Sequence, residues 1–171
     1  MLAIKFNSGV LRAKKKEVNR LITLEMTKLL KEIVRVMHET VHERTPVWEG
    51  TAVANFQWSQ SQPFYGKIDA VESGPTGKTS KMPVGAEPRR SANQALSDAS
   101  IDNIDFSKPF RKLFLTNNAE HFELLEAGAA PTPESSRVNS ATGIMRAADA
   151  EVLRRLEGRP GNFIRIVRTE Y

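Results

Sequence analysis

A repeating pattern of apolar residues between Leu11 and Glu43 is the feature that most constrains how this chain folds. The apolar positions recur at steps of three and four residues, which places them along one face of an α-helix. They are Val18, Ile22, Met26, Leu29, Ile33, Met37 and Val41, with Leu21, Leu30 and Val34 beside them. A helix over these residues would be about 50 Å long. Because a domain of 171 residues does not need a helix of that length, we expect part of it to project or to pack on a neighbouring subunit.

The segment Thr45–Gly50 predicts a sharp corner directly after this helix. Pro46 cannot continue a helix and pushes the residue before it out of helical geometry. Gly50 accepts a positive φ angle that most residues avoid. The bulky residues of Ala52–Ser59 alternate loosely, so we expect a strand to begin after the corner.

The remaining patterns predict an α+β fold in which a long N-terminal helix and a C-terminal helix pack on a small, mainly antiparallel sheet. We expect a single domain over 1–171, with the long helix at 11–43 and an α+β body at 44–171. The predicted elements of the body are strands at Ala52–Ser59, Phe64–Val71 (its hairpin partner), Phe110–Leu115 and Phe163–Val167, and helices at Ser91–Ile101, Ala119–Ala127 and Ala141–Leu156. Clusters of Gly, Pro and small polar residues predict flexible loops near 72–91 and 128–140.

The positive charge of the chain is concentrated at its N-terminal end. The net charge is +5, and residues 1–46 contain ten basic and five acidic residues, whereas residues 47–171 contain fifteen of each. The densest basic stretch consists of Arg12, Lys14, Lys15, Lys16 and Arg20. Such a patch can contact nucleic acid or an acidic protein surface. A solvated first turn of a helix is the simpler alternative.

Composition excludes several classes of protein and site. The chain contains no cysteine, which excludes disulfides, thiolate metal sites and cysteine nucleophiles and is compatible with assembly in a reducing cytosol. No run of 18 apolar residues is present, and the N-terminus lacks the apolar core of a signal peptide. We therefore expect no contact with a membrane.

His38, Glu39 and His42 match the H-E-x-x-H pattern of zinc metalloproteases. On a helix this spacing puts both imidazoles on one side, with the glutamate available as a general base. A third ligand is difficult to find, because Pro46 ends the helix and the other candidates are His121 and Glu72. The alternative is two polar residues near a helix C-terminus, where the helix dipole favours a cationic histidine. We expect the alternative, and hence no metal, no cofactor and no catalytic residue.

The segment Gly74–Thr79 ends like a phosphate-binding loop. The full pattern needs a glycine at the position of Glu72 and a helix after the loop, where Met82-Pro83 stands instead. A basic loop is the better interpretation. Its cations, which could contact a partner, are Lys78, Lys81, Arg89 and Arg90.

Three segments of the chain, in order, resemble landmarks of the neck and tail-completion proteins of tailed bacteriophages. The first is Thr45-Pro46-Val47-x-x-Gly50 with Ala54-Asn55-Phe56 and Trp58 after it. The second is Asn117–Gly128, similar to an N-x-A-x-Y-A-x-x-(L/I)-E-x-G segment of that family. The third is Gly143-Ile144-Met145, which opens the C-terminal helix after a loop with Pro131 and Pro133. The stretch from about residue 60 to 110 has no counterpart in the pattern.

This resemblance implies a virion structural protein that joins tail to head by protein–protein association and is not an enzyme. Its partners would be further copies of itself in a ring, six-fold by family analogy, and neighbouring neck, tail-terminator or tail-tube proteins. The basic N-terminal region could face acidic neighbours or packaged DNA. It would reside in the neck or tail of the virion, and in the host cytoplasm during assembly. Aromatic side chains often anchor such interfaces. We expect Phe56 and Trp58 in the core and leave Trp48 either in the core or at the interface.

Overall fold

The computed structural model describes residues 8–45, 50–71, 86–109, 111–127 and 143–157. In chain order the elements are α1 (Ser8–Arg44), α2 (Thr51–Ala54), β1 (Phe56–Gln60), α3 (Ala86–Asp102), β2 (Leu113–Asn117), α4 (Phe122–Glu126) and α5 (Ile144–Leu156). The predicted α+β fold is confirmed, with a long N-terminal helix, a C-terminal helix and a small antiparallel sheet.

Helix α1 has 37 residues and dominates the molecule. The prediction of a helix over residues 11–43 is confirmed, with three more residues at its start and one at its end. Only the C-terminal half of α1 is buried, where its apolar face carries Ile33, Val36 and Val41. The predicted loop 128–140 and the predicted strand Phe163–Val167 lie outside the described residues.

Helix α5 packs along the buried half of α1 and confirms the C-terminal helix of the sequence prediction from Ile144 onward. Its inner face carries Ile144, Ala148 and Val152, which join the same hydrophobic core as Ile33 and Val36 of α1. At the C-terminal end of α5, Val152, Arg155 and Leu156 lie beside Glu32, Ile33 and Val36 of α1. The C-terminal end of this helix therefore lies beside residues 32–36 of α1.

The two strands β1 and β2 form an antiparallel pair in which Phe56 lies opposite Asn117 and Gln60 opposite Leu113. The predicted strand Phe110–Leu115 is displaced toward the C-terminus by two or three residues. The predicted start of the first strand at Ala52 is wrong, because Thr51–Ala54 is a short helix that begins after Gly50, whose φ is 82°. Alanines at 52 and 54 favour a helical turn over a strand. Phe56 and Trp58 lie in the core as predicted.

The segment 64–71 is not the hairpin partner of β1, so that prediction is wrong. Its backbone groups bond to asparagine side chains rather than to a neighbouring strand. Asn55 exchanges two hydrogen bonds with Ile68, and Asn93 accepts one from the Val71 amide. Asn118 donates to the carbonyls of Phe64 and Gly66. Short amide side chains can satisfy a chain that runs without regular structure.

Helix α3 is longer than predicted and serves as a cover for the free edge of β1. Residues 86–90, which the sequence analysis assigned to a loop, belong to this helix. Ser97 donates a hydrogen bond to the Phe56 carbonyl, and Ser100 accepts one from the Trp58 amide. Hydroxyl groups of a helix thus take the place that a third strand would fill. The predicted helix Ala119–Ala127 is shortened to α4.

Candidate functional site

The N-terminal half of α1, residues 8–28, is here called the arm. Nearly all its residues from 9 to 25 are exposed, and they span about 25 Å of helix. Six large apolar side chains of the arm are exposed, each by 43% or more: Val10, Leu11, Val18, Leu21, Ile22 and Leu24. Isolated exposed apolar residues are common, but these six occur within residues 10–24 of one helix, and clustered exposed apolar residues are typical of protein–protein contacts.

The apolar line of the arm continues the face of α1 that α5 covers. At 100° per residue, Leu11, Val18 and Ile22 lie within about 20° of the line through Leu29. Ile33, one turn further on, is 8% exposed, whereas Ile22 on the same line is 49% exposed. The arm therefore presents the same kind of surface as the buried half of α1, without α5 on top of it.

The basic residues of the arm have few acidic partners within the described chain. Arg20 pairs with Glu17 at 2.8 Å, and Lys28 pairs with Glu25 at 2.8 Å. Among the described residues no carboxylate pairs with the remaining cations, which are Arg12, Lys14, Lys15 and Lys16. The predicted basic patch is thus an exposed feature that lies beside the apolar line.

The two histidines of the H-E-x-x-H pattern lie in the interior, at the opposite end of α1. His38 and His42 are 6% and 3% exposed, and their ring centroids are 4.4 Å apart. Both face α3 and β1, and the His42 ring meets the Phe56 ring edge to face at 5.3 Å. Residues four apart project from one side of a helix, so both rings enter the same part of the core.

The hydrogen bonds of His38 fix its tautomer. The Trp58 indole Nε1–H donates to His38 Nδ1 at 3.3 Å, and an indole nitrogen can only donate. The hydrogen of the imidazole therefore resides on Nε2, which lies 2.6 Å from Asp98 Oδ1 and donates to that carboxylate. His38 thus bridges the tryptophan of β1 to the aspartate of α3.

His42 is held in the same way by α3. The Ser97 hydroxyl donates to the Phe56 carbonyl, so it accepts from His42 Nε2–H at 3.1 Å. The remaining ring nitrogen, Nδ1, is buried without a hydrogen-bond partner. Burial, followed by the nearby His38 and Arg90, lowers the pKa of His42 from 6.5 to about 3. The expectation of a cationic histidine at this helix end is wrong for His42, because desolvation outweighs the helix dipole.

A third oxygen or nitrogen ligand does lie near the two histidines. Asp98 of α3 and the two imidazoles have potential ligand atoms within 4.8 Å of one another. However, a zinc ion needs the lone pair of His38 Nε2, and the Trp58 donation places the hydrogen on that atom. Glu39, the expected general base, is paired with Arg35 at 2.8 Å on the exposed side of the helix. The geometry therefore favours a structural role for both histidines.

Arg90 does not lie in a loop where it could reach a partner. It belongs to α3, is 8% exposed, and donates to the carbonyls of His42 at 2.6 Å and Thr45 at 2.8 Å. A cation at a helix C-terminus satisfies carbonyl groups that have no helical partner. The backbone of Arg89 belongs to α3, and its side chain lies outside the described part. The other interface candidates Trp48, Lys78 and Lys81 also lie outside it.

Sequence reasoning missed Asp98 and Ser97, which contact the two histidines, and it placed Arg90 in a loop instead of in α3. The sequence contains only a weak pattern that indicates these contacts. Asn93, Ser97 and Ser100 recur at steps of four and three within a weakly helical segment, which marks a polar helical face. Nothing in the sequence states that this face would be buried against the free edge of a strand.

Comparisons of the chain with protein-family models, curated proteins and solved structures give no match. Within the described ranges, no helix combines the length and the apolar character that crossing a membrane requires.

Proposed function

We propose that this chain is a virion structural protein of a tailed bacteriophage, which joins tail to head by protein–protein association. The observation that carries the proposal is the arm, whose apolar side chains are exposed, whereas the described elements α3, α5 and β1 cover the apolar face of the other half of α1. A surface of this kind is stable in water when another molecule covers it. The resemblance of three ordered segments to phage neck and tail-completion proteins supports the kind of assembly. The exposed apolar and basic arm supports a surface for association.

The contacts of the two buried histidines also fit a structural protein. His38 and His42 connect α1 to α3, since His38 donates a hydrogen bond to Asp98 and His42 donates one to Ser97. These contacts hold the packed helices together and need no bound substrate or ion. We propose no catalytic role for either histidine.

The association is tested by light scattering and negative-stain electron microscopy of the purified full chain, alone and mixed with phage tails. We expect rings or decoration of tail ends. The double variant Leu11→Glu/Ile22→Glu should lose this association. The single variant Leu153→Glu, at an exposed apolar position of α5 off the arm, is the matched control and should retain it. A chain that stays monomeric and never binds tails would refute the proposal.

Binding of nucleic acid is the second candidate, favoured by the four arm cations that have no carboxylate partner in the described chain. If all four contact phosphates, the logarithm of the DNA affinity should fall with the logarithm of salt with a slope of about −3 to −4. Fluorescence anisotropy with a labelled duplex measures this slope. Lys14→Gln/Lys15→Gln/Lys16→Gln should flatten it, whereas Arg154→Gln on α5 should not. No binding at low salt would remove this candidate.

A further inference from the structure

The edge of β2 that faces away from β1 carries backbone groups that another strand can bond. The Ser61 amide donates to the Lys112 carbonyl, and along an antiparallel pair the backbone groups of alternate residues face the partner strand. The amides and carbonyls of Leu113 and Leu115 therefore point away from β1. The corresponding outward groups of β1 bond to hydroxyls of α3. Within the described ranges β1 is the only strand paired with β2, so this edge is open to a further strand.

We propose that residues 163–167 of the same chain add to this edge as a third strand, parallel to β2. These residues lie outside the described ranges, and their run of apolar residues around Arg165 predicts a strand. The proposal commits to pairing within one chain and does not rest on the proposed function. Its support comes from the path of α5, the length of the connection and the pattern of side chains.

Helix α5 begins at the end of β2 where the new strand would finish. The strand β2 ends at Asn117, which lies opposite Phe56. The Phe122 ring of α4 contacts the Phe56 ring at this end, with the two centroids 5.4 Å apart. Glu126 of the same helix accepts a hydrogen bond from the Met145 amide in the first turn of α5. The first turn of α5 therefore lies near the C-terminal end of β2.

The C-terminal end of α5 lies near the start of β2. Gln60, which pairs with the first residue of β2, exchanges two hydrogen bonds with Asp105. The carbonyl of the next residue, Phe106, accepts a hydrogen bond from Thr27 of α1. Helix α5 ends beside Glu32, about 7.5 Å further along α1 than residue 27. Helix α5 thus runs in the direction opposite to β2 and returns the chain to the start of that strand.

The connection from α5 to the segment is long enough for this placement. Residues 158–162 separate the described end of the α5 region from the segment, and they span up to about 17 Å when extended. A strand that starts beside the beginning of β2 runs parallel to it. Parallel neighbours need a crossover connection, which α4 and α5 supply.

The side chains of the segment match the two faces of the sheet. Leu113 and Leu115 share one face of β2 and pack against the core. In an extended segment, Ile164 and Ile166 also share one face, and Arg165 lies on the other. With the two isoleucines beside the two leucines, the apolar layer is extended and the arginine stays on the outer face. A shift of one residue would place Arg165 in the core, which fixes the face that the segment presents.

Disulfide cross-linking tests the pairing, because the chain contains no cysteine of its own. Phe114→Cys places a thiol on the outer face of β2, and it is combined with one of three changes on the outer face of the segment: Phe163→Cys, Arg165→Cys or Val167→Cys. At least one of these pairs should oxidise to a disulfide within one chain, measured by non-reducing electrophoresis and mass spectrometry. The controls combine Phe114→Cys with Ile164→Cys or Ile166→Cys, on the core side, and should oxidise more slowly. Equal rates in all pairs, or disulfides only between chains, would overturn the proposal.

Hydrogen exchange of the full chain, followed by nuclear magnetic resonance, gives a second readout. The amides of Leu113 and Leu115 should be protected in the wild-type protein, as are the amides that face β1. The double variant Ile164→Pro/Arg165→Pro removes an amide that faces β2 in either register, so that this protection should be lost. Ile164→Val/Arg165→Thr keeps residues that favour strands and should retain it. Rapid exchange in the wild-type protein, or protection that survives the prolines, would overturn the proposal.

Discussion

The two halves of α1 have the same apolar periodicity and opposite surroundings. In the half after Leu29, α5, α3 and β1 cover the apolar face and leave Val41 fully buried. In the arm, equivalent side chains such as Val18 remain half exposed. The difference teaches that periodicity specifies a helix and one apolar face, while the elements packed against the helix decide how much of that face is buried. Within the described ranges, the face of the arm remains exposed.

The largest expected contrast comes from truncating the same residue type in each half. Ile33→Ala should lower the free energy of unfolding by about 2–5 kcal/mol, because it opens a cavity in the core. Ile22→Ala should change it by no more than about 0.5 kcal/mol, since that side chain is half exposed. Urea unfolding followed by circular dichroism, at low protein concentration, measures both. Equal losses would show that the two halves do not differ as described.

The ends of α1 should also respond differently to loss of an arginine. Arg90→Met removes both hydrogen bonds to the carbonyls of His42 and Thr45. We expect a loss of roughly 1.5–3 kcal/mol in unfolding free energy, because buried carbonyls are left without a donor. The matched change Arg12→Met, on the exposed arm, should cost less than about 0.5 kcal/mol. A tolerated Arg90→Met would mean that this end of α1 is not held by α3.

Acid should weaken the buried half through His42. The pKa of this histidine is about 3 in the folded protein and 6.5 as a free side chain, chiefly because burial disfavours the cation. Between these two pH values His42 is protonated in the unfolded chain and neutral in the folded chain. Stability is therefore full above about pH 6.5 and falls as the pH drops toward 3, by up to about 1.4 kcal/mol per pH unit. Unfolding curves at several pH values measure this slope.

Nuclear magnetic resonance separates His42 from the carboxylates that titrate in the same range. The His42 ring signals should keep the neutral pattern down to about pH 4. The groups that face this ring are His38, Arg90 and Ser97. A titration of His42 near pH 6.5 would contradict the burial argument.

The smallest expected effect concerns the helix that covers the buried half. The Glu126 carboxylate accepts hydrogen bonds from the amides of Met145 and Arg146, the second and third residues of α5. It thus caps α5 from outside the helix. Glu126→Ala should cost about 1 kcal/mol in unfolding free energy. Glu123→Ala, on the exposed side of α4, is the control, and a similar loss in both variants would argue against the cap.

Sequence patterns predicted α1, α5 and the central part of α3. The reason is that the apolar periodicity of a long helix depends on local backbone geometry. The patterns wrongly predicted strands at Thr51–Ala54 and at 64–71. At these segments, contacts with residues distant in the sequence decide between a strand and another backbone conformation. Asn55, Asn93 and Asn118 hold the segment 64–71, and no local pattern states which backbone groups a distant asparagine will meet. In the same way, the packing of α3 on α1 brings Asp98 within hydrogen-bond distance of His38, and no local pattern predicts this contact.

The sequence by itself determined the long helix, its apolar face, the basic charge of its first turns and the H-E-x-x-H spacing. Each of these features follows from the rotation of about 100° per residue in an α-helix and from the chemistry of the side chains. Only the tertiary structure decided that the end of α5 lies beside Ile33, that the apolar side chains of the arm are exposed and that both histidines are buried. The physical reason is that burial depends on which elements pack together. The hydrogen bond that His38 accepts from Trp58 and the one that His42 donates to Ser97 then fix the tautomers, which the spacing alone leaves open.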